Sequence, residues 1–394
     1  MLLQALLVAV TTLLALPAVV LLLQVVAARI PSGVSPVQAQ SPRPRVAVLM
    51  PAHNEAAGIS ASLASVRPQL RAGDRLLVVA DNCSDETAAV AAAAGAEVTL
   101  RHDDVRRGKG YALDHGIRHL ATDPPTVLVM LDADCVLHDG GLARLVATCT
   151  LTDRPVQGLY LMHAREGAGL RERMAEFAWR VKNLVRPLGA RRLGGACQLM
   201  GTGMAFPWPV IVVAPLASGH LVEDMQLGID LALAGRSPCF EPHALVTSRF
   251  PEAGKATTRQ RTRWEHGHIA TLLGQGPKLL AAGLKRRDVR VLALAADLLV
   301  PPLALLLLLN AAMAGLNLAV AMVSGSAAAA WVSAAALGLL AAAIVLAWWH
   351  VGRQLVSFGE LALAPLYALR KLPVYLRFVL GRQVDWVRAK RDGE

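Results

Sequence analysis

The chain has 394 residues, 54% of them hydrophobic, and a formal net charge of +11. That is too apolar for a wholly soluble protein of ordinary composition, and the excess is local. So basic a balance fits either nucleic acid or an anionic membrane surface. No zinc finger, nucleic-acid fold signature or basic–aromatic alternation occurs, which excludes nucleic acid and leaves membrane lipid as the expected partner. Five cysteines (Cys83, Cys135, Cys149, Cys197, Cys239) without a C-x-x-C pair give no reason to expect disulfides or structural zinc.

Leu2 to Ala28 is almost entirely apolar, long enough to cross a hydrocarbon core of about 30 Å. With no basic residue before it and a length beyond a signal h-region, it reads as an anchor rather than a cleaved leader. A transmembrane helix is expected over 1–28, a linker over 29–45 and a cytoplasmic domain over 46–288. Two more spans are expected over 289–323, where Pro301-Pro302 begins or kinks the spanning part, and over 327–350. A basic interfacial tail is expected over 351–394. Arg29, Arg43 and Arg45 follow the first span, Lys285-Arg286-Arg287 precede the second and Arg353 follows the third. The positive-inside rule then places these flanks, and the large segment they bound, in the cytoplasm.

That segment begins with a buried strand at Val46 to Met50, ending in Pro51-Ala52-His53-Asn54-Glu55, and a helix over about Ala56 to Val66. Leu76 to Ala80 is a second strand ending at Asp81. Ser84 is the expected cap of an alanine-rich helix stopped at Gly95. Glu97 to Leu100 is a third strand, and Lys109 sits in a Gly-flanked loop opening another helix. Val127 to Leu131 is an apolar run leading into Asp132-Ala133-Asp134. Strands alternating with helices predict an α/β domain with a parallel sheet. The acids after its strands then gather at one edge, where ligands of such sheets bind. Two carboxylates spaced i, i+2 repel each other unless a cation joins them. Hard oxygen donors suit Mg²⁺ or Mn²⁺ carrying substrate phosphates. No G-x-G-x-x-G or P-loop is present, so phosphates must be held by metal and basic side chains.

Downstream, Arg171 to Arg186 interleaves apolar and basic residues at helical spacing, fitting either a membrane-interface helix or a buried amphipathic one. Gly201-Thr202-Gly203 is a turn that lets backbone approach a ligand. Glu223-Asp224 opens a helical run, where acids also complement the helix dipole. Gln260-Arg261-Thr262-Arg263-Trp264 offers a stacking face beside guanidinium groups.

In this order, Asp81, Asp132-Ala133-Asp134, Glu223-Asp224 and Gln260 to Trp264 resemble the D, D-x-D, T-E-D and Q-x-x-R-W series of membrane-bound family 2 glycosyltransferases. That group includes cellulose, hyaluronan and bacterial polysaccharide synthases. The resemblance implies a GT-A-like (Rossmann-like) fold and inverting transfer from a nucleotide-sugar donor, a UDP-sugar, to a lipid-linked or growing polysaccharide acceptor. The setting implied is a bacterial inner membrane, with polysaccharide export partners. It also implies roles. Asp81 and Asp132 bind the nucleoside, Asp134 the Mg²⁺ or Mn²⁺, and Asp224 acts as general base. Gln260, Arg263 and Trp264 hold the diphosphate and acceptor, and Lys109, Glu55 and Glu223 line the substrate site. Val222 stands where that series has Thr, Asn82 where many relatives carry a second acid, and only two spans follow the domain. Two rival readings are sugar transfer to polyprenyl phosphate and a non-catalytic subunit of a secretion complex.

Overall fold

The computed structural model describes residues 2–31, 43–217, 222–250 and 255–380, with side chains undescribed over 255–261. The linker expected over 29–45 and the tail expected over 351–394 lie partly outside these residues, and the Gln260 side chain lies outside them. The described residues form two compact units.

The sheet unit comprises 43–163 and 196–261. Its strands are β1 (Val46–Ala52), β2 (Arg75–Asp81), β3 (Glu97–Arg101), β4 (Val127–Met130), β5 (Val136–Leu137), β6 (Val156–His163), β7 (Met204–Pro207) and β8 (Cys239–Arg249). They form one sheet in the order β3-β2-β1-β4-β7-β6-β8-β5. β3, β2, β1 and β4 pair in parallel. β7 and β5 run against the rest. The continuous Val/Leu runs of β1, β2 and β4 are buried on both faces, as parallel strands covered by helices must be. The helix Lys109–Leu120 covers one face with Ala112, Leu113, Ile117 and Leu120, which pack with Leu49, Leu77, Val79 and Leu128.

The expected cap of the alanine-rich helix is corrected. That helix spans Thr87–Ala93, and Asp85, not Ser84, accepts from the Thr87 N–H at 3.1 Å. Ser84 instead donates its N–H to Asn54 Oδ1 at 2.7 Å. Asn54 is left-handed at φ 53°, so its short side chain turns across and staples the β1 loop to the β2 loop.

The helical unit comprises 2–31, 164–195 and 262–380. Three of its helices are long and apolar enough to cross a membrane: Leu2–Ala27, Leu303–Ser324 and Ala328–Gly352. Pro301-Pro302 separates the last turn of Val289–Leu298 from Leu303–Ser324, because proline supplies no N–H to continue the first helix. The amphipathic stretch is broken into Leu170–Arg180, a π-helical turn Val181–Val185, and Arg186–Arg192. Its Met174, Phe177, Val181 and Val185 pack with Leu21 and Val25 of the first helix and Leu340 and Ala343 of the last span. Gly189 allows the closest approach, since a Cβ there would lie 2.0 Å from the Gln24 carbonyl oxygen. Two polar groups tie the apolar helices together. Asn317 Nδ2 donates to Thr11 Oγ1 and Ser333 Oγ, each at 2.8 Å. Arg186 and Gln24 both donate to Asp297 Oδ1, at 2.8 and 2.7 Å.

Candidate active site

β2, β1 and β4 are adjacent and parallel, so their carboxyl ends open onto one edge. Asp81 closes β2 and is 7% exposed. Such a buried carboxylate needs a partner. Arg101, at the end of neighbouring β3, donates Nη1 to Asp81 Oδ1 at 2.6 Å. The other arm of Arg101 reaches the Arg106 carbonyl at 2.6 Å, and its guanidinium lies 5.5 Å from the Tyr111 ring centroid. Glu55 lies in the turn after β1, its N–H donating to Thr87 Oγ1 at 2.8 Å. That turn also meets the β2 end, where His53 Nδ1 donates to the Asp81 carbonyl at 2.7 Å.

A second cluster forms around Lys109. Gly108, left-handed at φ 133°, begins the helix Lys109–Leu120 and sends the lysine inward. Its Nζ pairs with Asp132 and donates to the Gly201 carbonyl at 2.8 Å. Gly201 sits at φ +88°, and a Cβ there would stand 3.3 Å from Asp224 Oδ2 and 3.5 Å from Lys109 Nζ. The turn thus brings bare backbone between the acid and the amine. Glu223 and Asp224 occupy the first turn of the helix Glu223–Leu233. Burial opposes the charge on Lys109, yet Asp132, Glu223 and Asp224 hold it protonated well above the ordinary range. Burial, with Asp224 beside it, pushes the Glu223 carboxyl up to about 7. Burial likewise lifts Asp132, reinforced by Asp134 and opposed by Lys109.

Asp132, Asp134 and Cys135 bring ligand atoms within 4.8 Å of one another. The donor chemistry separates them. Cys135 is fully buried, burial drives its thiol well above its usual value, and its Sγ–H points at Asp134 Oδ1 at 3.5 Å. It stays a thiol, leaving hard carboxylate oxygens, which fit Mg²⁺ or Mn²⁺.

The turn at Thr202 and two residues absent from the sequence argument, Gln157 and Arg101, hold this geometry. The Asp132 N–H donates to Thr202 Oγ1 at 3.0 Å. Gln157, fully buried on β6, donates to the Thr202 carbonyl at 2.9 Å and accepts from the Met200 N–H at 2.7 Å. Arg101 joins them as the partner of Asp81. A basic residue closing the third strand was the one available signal. Nothing local marks Gln157.

The structure therefore brings together Lys109, Asp132, Asp134, Glu223 and Asp224, with Asp81 and Glu55 on the neighbouring strand ends. Arg263 and Trp264 belong to the helical unit. There the Trp264 ring lies 5.7 Å from that of Trp179, tilted by 47°, and Lys182 Nζ lies 5.8 Å from the Trp179 centroid.

An uncharacterized glycosyltransferase of Mycobacterium tuberculosis is 39% identical over 201 residues, covering 46% of this chain and 85% of its own length. A probable glycosyltransferase of Bacillus subtilis is 27% identical over 280 residues, covering 63% of this chain and 60% of its own. Among solved structures, a mannosyltransferase from Pyrobaculum calidifontis in complex with GDP-Man and Mn²⁺ aligns at 19% identity with a TM-score of 0.49, over 88% of this chain and 99% of that one. Glucosyl-3-phosphoglycerate synthase from Mycobacterium tuberculosis, in complex with Mn²⁺, UDP-glucose and phosphoglyceric acid, aligns at 25% identity with a TM-score of 0.40, over 61% and 86%. The model of the glycosyltransferase like family 2 matches residues 42–267, spanning every acid of the site and more than half of the chain. With its GT-A-like, mostly parallel sheet and three candidate membrane-spanning helices, this chain belongs to glycosyltransferase family 2.

Proposed function

We propose that the protein is a metal-dependent, inverting glycosyltransferase that moves a sugar from a nucleotide-sugar, a UDP-sugar, to a lipid-linked or growing polysaccharide acceptor at the cytoplasmic face of the inner membrane. The observation that carries this reading is the charge balance of the Lys109 cluster. Asp132, Glu223 and Asp224 act on one ammonium, with Asp134 acting on Asp132. So many acids around one lysine await further cationic charge. A divalent cation carrying a nucleoside diphosphate supplies it, and when bound it offsets the negative charge growing on the departing diphosphate.

Asp134 would hold the metal. Asp81, oriented by Arg101, and Asp132, oriented by Lys109 and by the Thr202 contact to its N–H, would bind the nucleoside. Glu55 and Glu223 would line the substrate site. Asp224 would take the acceptor hydroxyl proton. A single displacement needs only one such base and inverts the anomeric centre. Gln260, Arg263 and Trp264 would serve the diphosphate and the acceptor. Arg263 would add positive charge where negative charge develops, and Trp264 an aromatic face for a sugar ring.

The three apolar helices support a multi-pass membrane protein, and the basic residues flanking them support an N-terminus outside and the sheet unit in the cytoplasm. The basic residues on the cytoplasmic flanks would then meet anionic membrane lipid. The experiment is a screen for nucleotide release by the purified protein, with membranes as acceptor, against a panel of nucleotide sugars. Release from one sugar, abolished by Asp224→Asn, supports the reading. No release from any member of the panel overturns it and leaves the non-catalytic membrane subunit.

A further inference from the structure

The helix Lys255–Arg286 carries Arg263 and Trp264, and the two residues that follow them are held by a segment more than a hundred positions later. Glu265 Oε1 lies 2.5 Å from Lys371 Nζ. His266, 1% exposed, lies with Nε2 2.8 Å from the Val374 carbonyl. A carbonyl can only accept, so Nε2 carries the proton. The His266 ring also meets Phe378 edge-on at 5.4 Å. Tyr375, 7% exposed, lies beside Glu265, whose charge adds to burial in pushing the phenol pKa up. Lys371 Nζ itself stands 5.4 Å from the Tyr367 ring centroid. Lys371, Val374, Tyr375 and Phe378 all belong to the helix Leu372–Leu380 or its N-terminal edge.

Geometry gives this contact a purpose. Successive helical residues are turned by roughly 100°, so Glu265 and His266 face directions roughly 100° and 200° away from Trp264. Trp264 meets Trp179 on one side, and the C-terminal helix grips the next two residues on another. The helix is thereby held against rotation about its own axis at the level of the Arg263-Trp264 pair. A half-buried ion pair adds little stability over apolar packing of the same volume. Its best-attested use is to fix one register. The family match ends at residue 267, so the gripping segment lies well outside the residues that define the family.

We propose that the C-terminal helix Leu372–Leu380 is a positioning element of the transfer reaction. Through Lys371 and the Val374 carbonyl it sets the rotation of the Lys255–Arg286 helix, and with it the presentation of Arg263 and Trp264 to the acceptor. The proposal rests on the reading of Trp264 as an acceptor-side residue.

The test uses the full chain in lipid nanodiscs as wild type, Glu265→Lys, Lys371→Glu and the Glu265→Lys/Lys371→Glu double variant. Three quantities are read: hydrogen–deuterium exchange of amides 262–270, affinity for UDP in the presence of Mn²⁺, and UDP release across a panel of UDP-sugars with membranes as acceptor. Each single variant should speed exchange of the 262–270 amides about tenfold, as expected for local loosening without global unfolding. Each should slow UDP release about tenfold, with any weakening of Mn²⁺–UDP affinity through the Arg263 contact smaller than that loss, and the double variant should recover exchange and turnover. Single variants that exchange and turn over like wild type overturn the proposal. So does a double variant no better than the singles. If the wild type releases no UDP from any sugar, the transferase reading fails alone, and exchange with its charge-swap recovery still decides whether Lys371 and the Val374 carbonyl hold the Lys255–Arg286 helix.

Discussion

At the scale of single residues, the acids at the sheet edge divide by what neighbours them. Asp132 shares Lys109 and Asp81 shares Arg101. A Cβ on Gly201 would stand only 3.3 Å from Asp224 Oδ2, so a side chain there would crowd it. Asp224→Asn keeps shape and removes the base, so transfer should fall by at least about 10²-fold while UDP binding with Mn²⁺ persists. Steady-state rates beside a UDP titration check this, and retained turnover would remove Asp224 from the base role. Gln157 makes a different kind of contribution. Truncating it to Ala leaves the Thr202 carbonyl and the Met200 N–H without their partner. A cost of about 1–3 kcal/mol is expected for such buried polar groups. Chemical denaturation should register it, with Mn²⁺–UDP affinity falling as the turn behind Asp132 loosens. A Gln157→Ala protein as stable as wild type would contradict this account of the turn.

At the scale of elements, the periodicities placed the strands and helices well, because apolar runs and alanine stretches report burial directly. β1, β2, β3 and β4 and the helices between them lie within a few residues of the expected positions. Their parallel direction was readable from alternation alone; their order in the sheet was not. What could not be read depends on neighbours distant in sequence. The pairing of β6 with β8, the Asp85 carboxylate on the Thr87 N–H and the apolar partners of Met174 and Phe177 are examples. The helix Phe358–Leu361 supplies a test at this scale. Arg173 and a Ser357 capping box hold the Glu360 carboxylate down to about 2. A carboxyl depressed in the folded state contributes stability that is present above its unfolded value near 4.5 and lost as pH falls through about 2. The stability gap between wild type and Glu360→Gln should therefore be constant above about pH 5 and close as the pH drops towards the folded value. A gap independent of pH would show that Arg173 acts through packing alone.

At the scale of the whole molecule, the sequence carried the family through four short motifs whose residues lie far apart in the chain. The sheet unit brings Lys109, Asp132, Glu223 and Asp224 into one electrostatic cluster. On sequence alone Lys109 was a lysine in a Gly-flanked loop, and only the fold shows it inside the acid cluster. The three apolar helices were legible from composition, but the Asn317 and Asp297 links between them were not, since a lone polar residue in an apolar run names no partner. Arg186→Met should destabilise the helical unit by about 3–5 kcal/mol, because Asp297 is left buried without its cation. Replacing Arg186 and Asp297 together with apolar residues should recover much of that. Thermal unfolding in detergent reads both, and a double variant as unstable as the single would count against the pairing. The proposed orientation predicts that protease cleaves the sheet unit in inverted membrane vesicles and spares it in sealed right-side-out ones; the opposite pattern would overturn it.

The central proposal is that Asp134, just after β4, holds a divalent metal for a nucleoside diphosphate whose nucleoside meets Asp81 and Asp132. Calorimetric titration of UDP into the intact protein, with and without Mn²⁺, for wild type and Asp134→Ala, tests it most directly. The account predicts binding by the wild type that needs Mn²⁺ and a loss of that requirement's benefit in Asp134→Ala. UDP binding equally tight without metal, or an unchanged Mn²⁺ dependence in the variant, would contradict it.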